Sequence, residues 1–358
     1  MPSLIPDYFE QFKCIGSSCE DTCCAGWRVT IDASTLRKYK SVPRNELNIM
    51  RDVEGNQFRV RNDCCAFLNE DKLCKIQLNL GESYLSTTCD QYPRSYQLVD
   101  GVKEASATLS CPEIARLALL NPDGINVHYS EHDQSGPVQH VFNSNEYFQS
   151  VRDLVLGMLQ NRLYTVADRL IVLAMYFTGQ NQYRGMEHAF AQEDFHGILS
   201  EVKGNRMEQF KRSHYLVELL KDEKKETKRY AALYRNITAY YGNDPIRYGE
   251  AWKSYMELFN EKHEYVLENY LVNYAYRTVD FSQNSDAFAL MVVYYAMLKW
   301  HLVGIAGQKQ EMNPHLAVET IQIFTKRYEH HPATQMVTQH LKQSGLLELS
   351  ELIVFLKD

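Results

Sequence analysis

The chain has 358 residues, of which 45% are hydrophobic and 23% are charged, with 17 glycines and 10 prolines. This composition is typical of a globular protein with one large domain or two ordinary ones, and it excludes extensive disorder. The formal net charge of -7 argues against nucleic acid or an anionic membrane as a partner, because both select a basic surface.

The first residues, MPSLIPDYFEQFK, lack the basic and apolar segments of a signal peptide. Apolar runs such as FALMVVYYAML, from Phe288 to Leu298, are shorter than the roughly 20 residues of a membrane-spanning helix. We therefore expect a cytoplasmic protein without membrane insertion. Because cytoplasmic thiols are kept reduced, metal ligation or redox chemistry is favoured over structural disulfides for the nine cysteines.

The N-terminal part of the chain contains every cysteine, from Cys14 to Cys111. It is punctuated by the turn-forming stretches SVPRNE, VEGNQ, NED and LGES, and it has few long helical runs. We predict an irregular, metal-binding domain over residues 1–125, made of short helices with room for a small hairpin and organised around its cysteines.

From about residue 140, apolar residues recur at the three- and four-residue steps of amphipathic helices, as with Phe148, Val151 and Val155. Further helices are predicted at about 164–178, 186–202, 206–220, 226–241, 246–279, 285–306, 313–328, 332–343 and 347–357. The polar segment 121–140 is the predicted linker. The predicted fold class is therefore mainly α, with an all-α domain over residues 126–358 that binds a substrate or partner.

The spacing of the cysteines is typical of metal ligands. A first block, C-x4-C-x3-C-C, is followed at longer intervals by five more; together they are Cys14, Cys19, Cys23, Cys24, Cys64, Cys65, Cys74, Cys89 and Cys111. A lone buried cysteine is usually a packing residue, so the clustering carries the prediction. Tetrahedral zinc and an iron–sulfur cluster each need four such ligands, and the spacing fits either. Which member of each adjacent pair binds the metal is left open, since neighbouring side chains usually diverge and one of them can pack instead.

Four segments resemble, in order and spacing, the blocks of the flagellin lysine-N-methylase family. They are CIGSSCEDTCCAGW, CCAFLNEDKLCKI, TTCDQYPRSY and SCPEIAR. The middle blocks are also similar to a wider family of zinc- or iron-chelating cysteine clusters. Two later segments, ENYLVNYAYRTVDF and VVYYAMLKWHLVGIAG, resemble the helical part of the methylases, so the resemblance covers most of the chain.

The resemblance implies a protein-lysine N-methyltransferase that uses S-adenosylmethionine, acts on flagellin and holds an iron–sulfur cluster, of the 4Fe-4S type, with zinc as the alternative. The cysteines of the matching blocks are the implied metal ligands: Cys14, Cys19, Cys23, Cys24, Cys65, Cys74, Cys89 and Cys111. Cys64 lies just outside the shared pattern. The C-x3-C-x2-C loop of radical S-adenosylmethionine enzymes is absent, since Gly26 stands at its third cysteine position. No catalytic residue is predicted.

Four residues are candidates for binding the cofactor, since no glycine-rich loop of a Rossmann-type methyltransferase is present. Arg94 can hold a carboxylate or form an ordinary ion pair. Trp27 can stack on a ligand or shield the cysteines from water. Asn269 and Asn273 share one ridge of a predicted helix, which faces either a cleft between the domains or solvent.

Two other classes of function compete with methyl transfer. One is a non-enzymatic, protein-binding scaffold whose N-terminal domain is stapled by zinc; such a protein would be colourless and without methyltransferase activity. The other is a cytoplasmic redox or iron-handling protein, in which reversible oxidation of the paired cysteines would accompany metal release.

Overall fold

The computed structural model describes residues 3–43, 47–130, 136–142, 146–221, 227–242, 244–277, 285–329, 339, 341–346 and 348–357. The fold is mainly α, as predicted, and it includes a mixed β-sheet built from the N-terminal part of the chain.

The sheet has five strands. They are Ser3–Pro6 (β1), Arg94–Val99 (β6), Val102–Ala107 (β7), Val127–Ser130 (β8) and His140–Phe142 (β9), in the spatial order β8-β1-β7-β6-β9. β6 and β7 form an antiparallel hairpin through Asp100 and Gly101. β1 pairs parallel with β7 and antiparallel with β8, so the first described segment of the chain is an interior strand.

The cysteine-bearing region is built from short elements. Its helices are Asp7–Gln11 (α1), Ala33–Ser41 (α2), Lys75–Leu80 (α3), Thr87–Gln91 (α4) and Pro112–Leu119 (α5), and its two small hairpins pair Val53–Glu54 (β2) with Gln57–Phe58 (β3) and Val60–Arg61 (β4) with Cys64–Cys65 (β5). Asp32 and Ser86 cap α2 and α4 by accepting backbone hydrogen bonds. This region has a small hydrophobic core of its own, which includes Val29, Tyr39 and Phe67.

The other described helices form a bundle. They are Glu146–Leu159 (α6), Val166–Thr178 (α7), Gln180–Tyr183 (α8), Glu187–Ala191 (α9), His196–Glu201 (α10), Arg206–Leu219 (α11), Lys228–Tyr241 (α12), Pro245–Tyr255 (α13), Glu261–His263 (α14), Tyr265–Arg277 (α15), Ser285–Lys309 (α16), Pro314–Tyr328 (α17) and Leu349–Leu356 (α18). A π-helical turn, Met256–Asn260, joins α13 to α14.

α16 is the central helix of this bundle and packs against α7, α11, α12, α13 and α18. Gly304 and Gly307 allow α12 and α13 to approach closely, because a Cβ on Gly307 would lie 2.4 Å from Cβ of Ala251. By length and composition α16 could cross a membrane, but its most apolar window is 100% buried inside the protein. Its apolar residues are therefore used in the core.

Several expectations from the sequence differ from the structure. The chain beyond residue 126 is not all α, because β8 and β9 join the sheet, and the expected linker at 121–140 contains β8. The predicted helix at 186–202 is two helices, since the Asp194 side chain accepts a hydrogen bond from His196 N (3.0 Å) at the start of α10. Most of the predicted helix at 332–343 lies outside the described residues.

One hydrophobic core runs through the sheet and the bundle. It joins Ile5 and Tyr8 from the N-terminal segments to Leu267, Tyr270 and others from the helices. The break in cysteine composition after Cys111 therefore does not coincide with a break in the core.

Candidate functional site

Seven of the nine cysteines line one cavity of about 400 Å³, which we call the cysteine cavity. They are Cys14, Cys19, Cys23, Cys24, Cys74, Cys89 and Cys111. Cys74 and Cys111 are the N-cap residues of α3 and α5, and Cys89 lies in α4. Short helices thus bring three sulfurs, distant in sequence, to the block that holds the first four.

The two remaining cysteines occupy different surroundings, although they are neighbours in β5. Cys65 packs against the small core and does not line the cysteine cavity, but its thiol interacts electrostatically with those of Cys23 and Cys74. Cys64 lines a separate outer cavity. The structure therefore places Cys64, which the sequence pattern left out, in a different cavity from seven of the eight predicted ligands.

Burial and mutual repulsion make most of these thiols hard to ionise. Burial raises the pKa of Cys65 to about 11 and those of Cys89 and Cys111 to about 12, and neighbouring thiols add to each shift. A hydrogen bond between Cys23 and Cys24 raises the pKa of Cys24 and lowers that of Cys23. Ionising several of these thiols together requires a compensating cation.

The eight predicted ligands are of the type that metal centres use, and seven of them line one cavity. Thiolates are the ligands that zinc and iron–sulfur clusters take from cysteine. Among the described residues, which include every cysteine, no three His, Cys, Asp or Glu side chains are arranged to hold a metal ion. Binding would therefore draw the thiols together, in keeping with the coupling of metal binding to folding.

A second cavity, of about 520 Å³, adjoins the first. We call it the arginine cavity; Trp27, Gln91, Tyr92, Arg94 and Arg277 are among its lining residues, and Tyr92, Pro93 and Arg94 line both cavities. The ring centroids of Trp27 and Tyr92 lie 5.9 Å apart, and Trp27 Nε1 donates to Cys23 O (2.7 Å). The two cavities thus share an aromatic and cationic wall.

Arg94 has a charge available to a ligand. Its guanidinium lies 4.9 Å from the ring centroid of Phe12, and it forms no ion pair with any residue in the described ranges. The structure therefore brings two predicted cofactor-binding residues, Trp27 and Arg94, to one cavity, next to the predicted metal ligands.

Asn269 and Asn273 are placed elsewhere. Both are fully or almost fully buried, and they join α15 to the N-terminal region: Asn269 Nδ2 donates to Asn121 O (2.8 Å) and Asn273 Nδ2 to Tyr8 Oη (2.6 Å). Neither lines the cysteine cavity or the arginine cavity. Their amides hold the two parts of the fold together.

Asp21 connects the first cysteine block to the helical bundle, a feature that sequence reasoning missed. Its carboxylate accepts hydrogen bonds from Lys326 Nζ (2.8 Å) and Gln322 Nε2 (3.0 Å), both on α17. Arg229 Nη1 lies 3.2 Å away. Burial raises the pKa of Asp21, but its bonds with Lys326 and Gln322 outweigh that effect and lower it. No local signal marks this contact, because its partners are far apart in sequence.

Comparison with known proteins gives the family. Residues 152–355 match the family described as the FliB lysine N-methylase C-terminal domain. The chain is 27% identical over 162 residues to the lysine-N-methylases of Salmonella typhimurium and Salmonella choleraesuis, and each match covers 42% of this chain and 39% of the relative. It is 30% identical over 132 residues to the flagellar biosynthetic protein FliU of Salmonella muenchen, covering 34% of this chain and 78% of FliU.

The match to the two methylases spans well under half of their length, and no solved structure matches the chain. The family match covers more than half of this chain, from α6 to α18, and it confirms the family that the cysteine blocks and the later helical segments predicted. The chain belongs to the FliB lysine N-methylase family.

Proposed function

We propose that the protein is a lysine N-methyltransferase that transfers methyl groups from S-adenosylmethionine to lysine side chains of flagellin in the cytoplasm. The observation that carries the proposal is the arginine cavity, where an aromatic pair, Trp27 and Tyr92, stands beside the guanidinium of Arg94. The names of the relatives, lysine-N-methylase and flagellar biosynthetic protein, support the reaction and its flagellar setting.

The cavity has the groups that a sulfonium amino acid needs. Aromatic faces attract a sulfonium through cation–π interaction, and a guanidinium binds a carboxylate with two parallel hydrogen bonds. We assign the sulfonium or adenine to Trp27 and Tyr92, and the carboxylate to Arg94. Both assignments use the lining residues as the structure places them.

The reaction is a displacement at carbon. The lysine ammonium first loses a proton to solvent, and the neutral nitrogen then attacks the methyl carbon. The N–C bond forms as the C–S bond breaks. The electron pair of the C–S bond stays on sulfur, so the donor becomes S-adenosylhomocysteine. The protein contributes by holding nitrogen, carbon and sulfur in line and by excluding water.

We also propose that the cysteine cavity holds an iron–sulfur cluster, with ligands drawn from its seven cysteines and Cys65. When bound, the cluster supplies a Lewis-acidic iron and one-electron chemistry. Tyr92, Pro93 and Arg94 separate that group from the arginine cavity. Two observations support this proposal: the cysteine thiols that line the cysteine cavity, and the wall that this cavity shares with the arginine cavity.

The metal is tested by measuring iron, zinc and acid-labile sulfide in protein purified without oxygen. Equal iron and sulfide, with an absorption band near ~400 nm, is the expected result. Cys74→Ser and Cys89→Ser should lower the iron content, whereas Cys64→Ser should leave it unchanged, because Cys64 lines a different cavity. Zinc without sulfide, even after anaerobic reconstitution, would favour the zinc-stapled scaffold.

The activity is tested by incubating the full chain with flagellin and S-adenosylmethionine and counting methyl groups on lysine by mass spectrometry. Arg94→Met should lower kcat/KM for the methyl donor about tenfold or more, because a charge-assisted hydrogen bond is lost. Arg61→Met is the control, since Arg61 pairs with Asp52 outside the arginine cavity. Absence of methylation by reconstituted protein would overturn the proposal.

A further inference from the structure

A second guanidinium enters the arginine cavity from the helical bundle. Arg277 is the last residue of α15, and it lines the cavity together with Arg94, which begins β6. The two arginines are the only charged side chains among the described residues that line this cavity. They come from parts of the chain that are far apart in sequence.

A buried carboxylate holds Arg277 in place. Glu329, the C-cap residue of α17, accepts a hydrogen bond from Arg277 Nη1 at 2.7 Å, and its side chain is only 7% exposed. One nitrogen of the guanidinium is thereby committed. The group has five N–H donors in a planar fork, so the others remain available to a ligand.

The charges in the cavity suit one carboxylate. Glu329 balances the charge of Arg277, while Arg94 has no carboxylate partner among the described residues. The site therefore retains one net positive charge and two planar donor groups. A nucleoside without an amino-acid tail would leave that charge unused.

We propose that Arg277, positioned by Glu329, binds the carboxylate of the methyl donor together with Arg94. This inference rests on the proposed function. It adds that the binding site for the methyl donor is formed jointly by the sheet, through Arg94, and by the helical bundle, through Arg277. Arg277 is a binding residue and Glu329 is a positioning residue, since only the former lines the cavity.

The test compares two ligands that share a nucleoside. S-adenosylhomocysteine carries the amino-acid tail, and 5′-methylthioadenosine lacks it. Calorimetry on the full, reconstituted chain should show S-adenosylhomocysteine binding about tenfold or more tightly than 5′-methylthioadenosine, because only the former offers a carboxylate to the two arginines. This comparison uses the unaltered protein, so folding of a variant does not enter it.

Variants then locate the effect. Arg277→Met should weaken the binding of S-adenosylhomocysteine about tenfold and leave the binding of 5′-methylthioadenosine unchanged. Arg277→Lys keeps the charge beside Glu329, so it should weaken the binding of S-adenosylhomocysteine less. Glu329→Gln should lower the ratio of the two affinities without changing 5′-methylthioadenosine binding. Arg162→Met is the matched control, because Arg162 pairs with buried Glu268 in another cavity.

The outcomes separate this inference from the proposed function. Equal binding of both ligands by the unaltered protein, an unchanged affinity ratio in both Arg277 variants, or an equal loss of both ligands in these variants would overturn the role of Arg277 while leaving a donor site. Binding of neither ligand by the unaltered protein would overturn the donor site itself, and the role of Arg277 with it.

Discussion

Gly26 occupies a position where a side chain does not fit. Its φ is +85°, and a Cβ there would lie 2.4 Å from Thr227 Cγ2 at the start of α12. A cysteine at this position, as the radical-enzyme loop would need, would require Thr227 to move. The packing around Gly26 therefore agrees with the absence of that loop from the sequence.

We expect Gly26→Ala to lower the free energy of unfolding by about 2 kcal/mol or more, from backbone strain and the clash with Thr227. Gly55→Ala is the matched control, because Gly55 also has a positive φ (+63°) but no described atom lies within 4 Å of where its Cβ would stand. It should lose only the backbone contribution, about 1 kcal/mol. Urea unfolding measures both; equal losses would show that Thr227 yields freely.

Lys326 is one of two cations that the bundle supplies to Asp21 in the first cysteine block, the other being Arg229. Lys326→Met should lower the free energy of unfolding by about 2 kcal/mol, because the largely buried Asp21 would keep Arg229 as its only ion-pair partner among the described residues. Lys211→Met, which removes an exposed pair with Glu208, should cost less than about 0.5 kcal/mol. A loss of stability in Lys326→Met no larger than that in Lys211→Met would contradict the stabilising role of the pair between Asp21 and Lys326.

The contribution of Asp21 also has a predicted dependence on pH. The pKa of Asp21 is lowered in the folded protein, so its stabilisation is present above the unfolded value of about 3.9 and is lost as pH falls through the lower, folded value. The difference in unfolding free energy between wild type and Lys326→Met should therefore shrink below pH ~4. A difference that grew on acidification would contradict this sign.

At the level of elements, α16 contains a buried histidine, His301, from which we predict a dependence of stability on pH. Burial lowers the pKa of His301 to about 4, against the opposing effect of its hydrogen bond to Met297 O, and Nε2 lies 3.2 Å from Tyr230 Oη. The unfolded chain, with a His pKa near ~6.5, binds more protons than the folded one between these values. Stability should therefore fall as pH drops from ~6.5 to ~4.

The size of the shift in the pKa of His301 limits the expected loss of unfolding free energy to about 3 kcal/mol. His301→Gln should flatten this part of the curve of unfolding free energy against pH, because glutamine takes up no proton. Urea unfolding of wild type and variant at a series of pH values measures the two slopes. An unchanged slope in His301→Gln would assign the acid sensitivity to other groups.

Helical elements were the most predictable, since their periodicity is local: α7, α11, α12 and α17 begin and end within about two residues of the runs read from the sequence. The sheet was missed because β1 and β8 are four-residue strands whose partners are distant. Asp100-Gly101 was the available signal, a dipeptide typical of a hairpin turn.

The site was predictable only where residue type itself carries information. The clustering of the cysteines, together with the aromatic ring of Trp27 and the charge of Arg94, identified residues that line two adjoining cavities. Arg277 shares the helical ridge of Asn269 and Asn273, yet only the structure distinguishes the residue that lines a cavity from the two that are buried. Asp21 and Lys326 meet across 305 positions, and a single sequence does not reveal such a pair.

At the level of the whole molecule, the shared core predicts one cooperative unit. Urea unfolding of the full chain should give coincident transitions by far-ultraviolet circular dichroism and tryptophan fluorescence. A fragment of residues 1–125 should show no cooperative transition, because it lacks β8, β9 and the helical half of the core. A fragment extended to residue 142 serves as the comparison. Cooperative unfolding of the shorter fragment would contradict this prediction.

The interior position of β1 sets an order of events during synthesis. Ser3 pairs with Lys103 and Ser130, so the first strand has no partner until much of the cysteine-bearing region has left the ribosome. At roughly 5–20 residues per second, the contact of Asp21 with Lys326 follows many seconds later. All nine thiols therefore emerge, and meet the metals and oxidants of the cell, before α17, which contacts the first cysteine block through Lys326, has been translated.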